Sequence, residues 1–356
     1  MIELKESRLT KITVLIIVGL LVVLVPVLFW QGVFGSGRLS RECLCLALAC
    51  GTLVTGLIAV YLSTGTIKSG RYFKLAISGY LMVCAFVFMQ GLLNWPALKP
   101  LKQPALVPTA TFFVHGMPSS YVSELQMTRF LVDAGMTPPA DVIVANVKPN
   151  GDVILSHHLP KNPVNPIIEV NFKNNREKSI RQMAFWIRDA VEAVQREYPV
   201  RRINFVGHST GPVPILYYVM MTRHNQTLPR VNRIISLGGA INGALNPFNS
   251  MQTTSVTGDG YPTDNVTKDY LALQPLHNCF PRYIKVDNIY GNLSDENDSD
   301  GRVTNASSQS MRYLVKNRAK SYHEIELTGP DVYHSGLHNS KRVDFYLLRL
   351  LTGQNC

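Results

Sequence analysis

RINFVGHSTGPVPILYYVMMTR, residues 202–223, decides how this chain folds. Ile203, Phe205 and Val206 make a short apolar run, and Gly207-His208-Ser209-Thr210-Gly211 then reads G-x-S-x-G. Residues 213–223 follow as a helix-length apolar stretch. The pentapeptide alone is a weak signal, since three fixed residues at ~7% each arise by chance in roughly one chain in ten of this length. Its setting carries the weight. A tight strand-to-helix turn forces Ser209 into a strained backbone and pushes its hydroxyl beyond the strand end. The N-terminus of the new helix aims amides at developing negative charge. The bland alternative is a plain glycine turn before a helix. Proline is comfortable in a first helical turn, but Pro214 lies deep enough to predict a late or irregular helix start.

Outward from this stretch, strands and helices alternate. Short apolar runs at residues 109–114, 142–147, 167–171, 233–237, 283–290 and 322–327 predict strands. Ile180, Met183, Ala184, Ile187, Val191 and Val194 recur at helical spacing, which predicts an amphipathic helix over residues 177–198. Residues 343–351 predict a closing helix. Such alternation implies a mostly parallel sheet covered by helices on both faces. Residues 246–276 are long and weakly patterned and read as a lid or cap.

A serine nucleophile needs a base, and the base needs an orienting acid. On an α/β sheet their chain order is serine, acid, histidine. Acids follow the strand at 283–290: Asp300 is preferred because Gly301 permits a sharp turn, with Asp298 and Asp295 as competitors. The same run faintly resembles a calcium loop, but its twelfth position counted from Asp295 is Ala306, so the register fails. After the strand at 322–327 come His334 and His338, either of which stands where a base belongs. His157 and His158 read as surface residues near a hairpin, and His208 as a packing residue rather than a second base. An oxyanion hole needs two fixed N–H groups. The amide of Thr210 is one candidate, and the amide of Met117, in His115-Gly116-Met117 after the first strand, is the other.

Taken together, Phe113-Val114-His115-Gly116, residues 165–172, residues 204–211, residues 289–292, Ser299-Asp300-Gly301-Arg302-Val303 and His334-Ser335-Gly336-Leu337 resemble the cell-surface α/β-hydrolases of Gram-positive bacteria, a lipase/esterase-like family long described as a domain of unknown function. The resemblance spans nearly all of residues 105–352 and implies the α/β-hydrolase fold. It also implies Ser209 as nucleophile, Asp300 as acid and His334 as base, and esterase-like activity on short acyl esters without a metal or organic cofactor. The family usually has Met-Gly-Gly after the serine. Here Thr210-Gly211-Pro212 stands there, a departure that bears on the following helix and the acyl pocket rather than on the nucleophile.

The front of the chain has a different chemistry. Residues 12–30, 43–62 and 73–95 are apolar runs of about bilayer-spanning length, with Lys74 the only charged residue among them. Three such runs separated by short basic loops predict a three-helix transmembrane anchor over residues 1–95, then a proline-rich linker at 96–108 and a hydrolase domain at 109–356. The alternative is buried helices of a large soluble core. The first run lacks an Ala-x-Ala-like exit and reads as an uncleaved span. Basic residues in successive loops number three, two, three and two, which favours the N-terminus inside and the body outside. Family relatives are typically secreted or hold one N-terminal anchor, so three spans are unusual.

Net charge is +11. With no basic run interleaved with aromatics, nucleic acid is excluded as a partner. Only Cys279 and Cys356 lie in the body, too far apart in sequence to specify a disulfide, and no Cys/His cluster has zinc spacing. The expected protein is a membrane-anchored serine hydrolase, acting through an acyl-enzyme on small ester or lipid substrates at the cell surface. Its rivals are a catalytically silent binding module of the same fold and a membrane-embedded partner subunit. The last is disfavoured because the spans lack intramembrane charges that mark transport paths.

Overall fold

The computed structural model describes residues 109–244, 253–294 and 298–353, all within one compact unit spanning Pro100–Cys356. The three apolar runs and the proline-rich linker lie outside the described residues, as do Asp295 and Cys356. Among the described residues no helix is long and apolar enough to cross a membrane.

Eight strands form one sheet: β1 (Thr109–Val114), β2 (Val142–Val147), β3 (Val153–Leu155), β4 (Ile167–Phe172), β5 (Arg202–His208), β6 (Arg230–Leu237), β7 (Lys285–Asn292) and β8 (Ser321–Thr328). Their spatial order is β3-β2-β4-β1-β5-β6-β7-β8. Every neighbouring pair is parallel except the β2–β3 hairpin. From β1 the chain builds towards one side of the sheet, and from β5 towards the other. The carboxyl ends of β1 and β5 therefore flank a topological switch point, the place where sheets of this kind hold their chemistry.

The helices are α1 (Leu125–Asp133), α2 (Ile180–Glu197), α3 (Pro212–Thr222), α4 (Lys268–Leu273), α5 (Leu276–Cys279), α6 (Asn305–Gln309), α7 (Met311–Val315) and α8 (Lys341–Thr352). Alternate strand residues feed opposite faces. Phe112 and Val114 of β1 join a core with Trp186, Ile187 and Val191 of α2 and Ile215 and Val219 of α3. Phe113 joins the other core, with Met127 and Leu131 of α1 and Val343 and Leu347 of α8. The predicted apolar face of α2 is buried as read, and its start is fixed by the Ser179 side chain, which accepts from the Gln182 amide. Helix α3 begins promptly at Pro212, against the expectation of a late start. Pro214 is its third residue, still within the turn whose amides have no intrahelical acceptor, so its missing N–H costs no helical bond.

The expected lid lies partly outside the described residues. Its described part is tied down: the Thr304 hydroxyl donates to the Thr253 carbonyl at 2.7 Å, and Thr253 is buried.

One buried acid marks the fold. Glu124 is 1% exposed, and its Oε2 has no partner among the described residues. Its carboxyl is pushed up to about 7, chiefly by burial and further by the charge of Glu169, while the Ser123 hydroxyl opposes the shift. The fold therefore favours the protonated form. Stability present below pH 4.5 is lost as pH rises through about 7, by about 3 kcal/mol in all. Glu124→Gln is expected to melt like the wild type at pH 4 and several degrees above it at pH 8. Parallel melting curves at both pH values would remove Glu124 as the cause.

Candidate active site

The turn between β5 and α3 holds Ser209 at φ 59, in the left-handed region that an L-residue adopts only under constraint. The constraint comes from β6 and the turn after it. Ser209 donates its amide to the Leu237 carbonyl at 3.0 Å and accepts from the Ala240 amide at 2.8 Å. The close crossing needs glycines. A Cβ on Gly211 would lie 2.3 Å from the Val114 carbonyl oxygen, and one on Gly116 would lie 2.6 Å from the Ser209 Cβ.

Three side chains far apart in sequence meet at this switch point. The Ser209 Oγ lies 2.8 Å from His334 Nε2. His334 Nδ1 lies 2.8 Å from Asp300 Oδ2. Asp300 is buried, and its other oxygen accepts from the amides of Arg302 at 3.0 Å and Val303 at 2.8 Å. Gly301 makes the sharp turn at φ 85. The acid is thus held by its own loop, and the loop holds the base as well, because the His334 amide donates to the Asp300 carbonyl at 2.8 Å. Asp298 is exposed and not part of this cluster.

His208 does more than pack. Its Nε2 lies 3.0 Å from the His334 carbonyl, an acceptor, so that nitrogen carries the proton. Burial first, then the nearby His334 and His338, hold its pKa well below the ordinary histidine value, so the ring is neutral. It lies between His334 and His338, with ring centroids 4.9 Å and 4.8 Å away. His338 therefore backs the cluster through His208, whereas His334 reaches the serine. Sequence spacing gives no sign of the His208–His334 bond, which links positions 126 residues apart.

The two expected oxyanion donors differ. The Thr210 amide donates to no protein atom among the described residues. The Met117 amide instead donates to the Thr210 hydroxyl at 3.0 Å. The sequence reading takes both amides as oxyanion donors; in the structure the β-hydroxyl of Thr210 occupies the Met117 amide. Among the described residues no cluster of His, Cys, Asp or Glu is disposed to hold a metal.

Residues 99–354 match the family described as an alpha/beta hydrolase of unknown function, DUF915. The chain belongs to this family. Among solved structures, the lin2722 gene product of Listeria innocua superposes with a TM-score of 0.62 at 21% identity, covering 70% of this chain and 96% of that one. A "putative cell surface hydrolase" of Lactobacillus plantarum gives 0.55 at 20% identity, covering 70% and 92%. At these identities the likeness is one of fold. No curated protein matches the chain significantly. DUF915 membership and the eight-stranded sheet agree with the α/β-hydrolase fold expected for the body.

Proposed function

We propose that this DUF915 protein is a membrane-anchored serine hydrolase that cleaves carboxylic esters at the cell surface. The observation that carries the reading is the unbroken relay Ser209–His334–Asp300, with the serine on a strained turn. Ser209 Oγ attacks the ester carbonyl while His334 Nε2 takes its proton. Asp300 holds the Nδ1–H and stabilises the imidazolium. The collapsing intermediate expels the alcohol, which receives that proton from His334. Water, activated by His334 in turn, then releases the acid and restores the serine.

The oxyanion meets the Thr210 amide first. The Thr210 hydroxyl, whose oxygen already accepts from Met117, keeps its own hydrogen for a second bond. Thr210→Val keeps the side-chain volume and removes this donor. It is expected to lower kcat about a hundredfold with little change in KM, whereas Thr210→Ser retains activity. Unchanged or raised kcat in the valine variant would return the role to the Met117 amide alone.

The three apolar runs before residue 96 support anchoring, and the basic residues of their loops support an outward-facing body. Hydrolysis of a graded series of p-nitrophenyl esters by the purified full chain tests the enzymatic reading. A burst stoichiometric with enzyme, strongest on short chains, is expected. A folded protein that hydrolyses none of them above the buffer rate would favour the silent binding module.

A further inference from the structure

At the edge opposite the catalytic cluster, the strands begin with cations. Arg202 opens β5 and is paired in register with Arg230, which opens β6. Lys285 opens β7, and the Lys320 amide donates to the Ile284 carbonyl at 2.8 Å just before β8. Arg202, Arg230 and Lys320 line one concavity of about 250 Å³ with Tyr283. A second, of about 490 Å³, shares Arg230 and Tyr283 and adds Arg223.

Most of these charges have no carboxylate ion pair among the described residues. Among the described residues, Arg201, Arg202, Arg230, Arg282, Lys316 and Lys320 make no ion pair. Arg230 lies on the Tyr283 ring instead, 3.8 Å from its centroid. Nearby acids are committed elsewhere: Asp287 to Arg233 and His323, Glu197 to His158, Glu324 to Arg312. The Lys285 ammonium is pulled down by burial and then by the charges of Arg233 and Lys320, as expected where cations crowd.

The chain also enters here. Thr109, the first residue of β1, is paired with Arg202, so everything before it joins the body at this edge. The thirteen residues 96–108 that separate the last apolar run from Thr109 span at most about 45 Å when fully extended.

We infer that this edge docks on the phosphodiester headgroups of an anionic membrane, the one that holds the chain. The inference rests on the anchored reading above. Charge complementarity and the entry point of the chain select the same face. The catalytic edge then points away from the bilayer. Ser209 is seven residues along β5 from Arg202, which sets it about 23 Å farther from the headgroups. The substrates within its reach are soluble or wall-borne esters, not acyl chains in the plane of the membrane.

Amine footprinting of the full chain in vesicles tests this. The chain is reconstituted in phosphatidylcholine alone and in phosphatidylcholine with phosphatidylglycerol, then treated with a membrane-impermeant acylating reagent. Acylation of exposed Lys316 and Lys320 is expected to fall about fivefold in the anionic vesicles and to recover in about 1 M salt. Lys173 and Lys341, exposed at the catalytic edge, should not change. In the variant Arg202→Gln/Arg230→Gln, protection of Lys316 should disappear while ester hydrolysis persists.

Equal acylation in both vesicles overturns the docking surface, and so does protection of Lys173 and Lys341 instead. Equal protection by inorganic phosphate in neutral vesicles also overturns it, by assigning the edge to a free anion. Flotation with neutral vesicles after an alkaline wash reports the anchor separately. A chain that fails to float loses the anchor and the docking with it, whereas a chain that floats without lipid-dependent protection loses the docking alone.

Discussion

Ser209→Ala is expected to lower kcat on a short p-nitrophenyl ester by about a million-fold while the protein stays folded. The argument is that one oxygen carries the covalent step. Ser209 Oγ is the atom that His334 Nε2 meets at 2.8 Å, and no other hydroxyl is bonded to that nitrogen among the described residues. Alanine tolerates φ 59 about as well as serine does, so the turn and its bonds to Leu237 and Ala240 survive. What remains is the rate supplied by binding and the oxyanion donors, about 10³–10⁴ over water. Circular dichroism unchanged from wild type, with residual hydrolysis no more than about 10³–10⁴ above the rate in water, meets the expectation. A loss of only a few fold would place the nucleophile elsewhere.

Asp300→Asn is expected to cost about 10⁴ in kcat with a small change in KM. Asparagine fits the site, and its carbonyl oxygen accepts from the Arg302 and Val303 amides as the carboxylate does. That places its amide nitrogen, a donor, against His334 Nδ1. The imidazole must then carry its proton on Nε2, where it cannot take one from Ser209. The loss is smaller than for the serine because His334 stays in place. Its amide still bonds the Asp300 carbonyl and its carbonyl still accepts from His208, and neither bond involves the carboxylate. A variant as inactive as Ser209→Ala and with a displaced His334 loop would instead make Asp300 a structural residue.

Much of this was legible in the chain because the signals are local. A strand buried on both faces, a glycine-flanked serine and an apolar helix lie within residues 202–223, and they fold as β5, turn and α3. Strands β1 and β2 begin and end where their apolar runs do. What escaped is short or non-local. Strand β3 has only three residues, and α6 and α7 have five each, too few for a period to show. Helix α1 carries only three buried side chains in nine residues, Met127, Thr128 and Leu131. The bond from Met117 to Thr210 joins positions 93 residues apart, so no local pattern marks it. The basic edge escaped for the same reason. Arg202, Arg230 and Lys320 are dispersed along the chain and meet only because parallel strands start together.

A fluorophosphonate probe on the full chain, followed by peptide mapping, tests the central claim most directly. The account predicts one stoichiometric adduct on Ser209 in the native wild type, and none after denaturation or in Ser209→Ala. A folded wild-type protein that never labels, or an adduct on another residue, would contradict it.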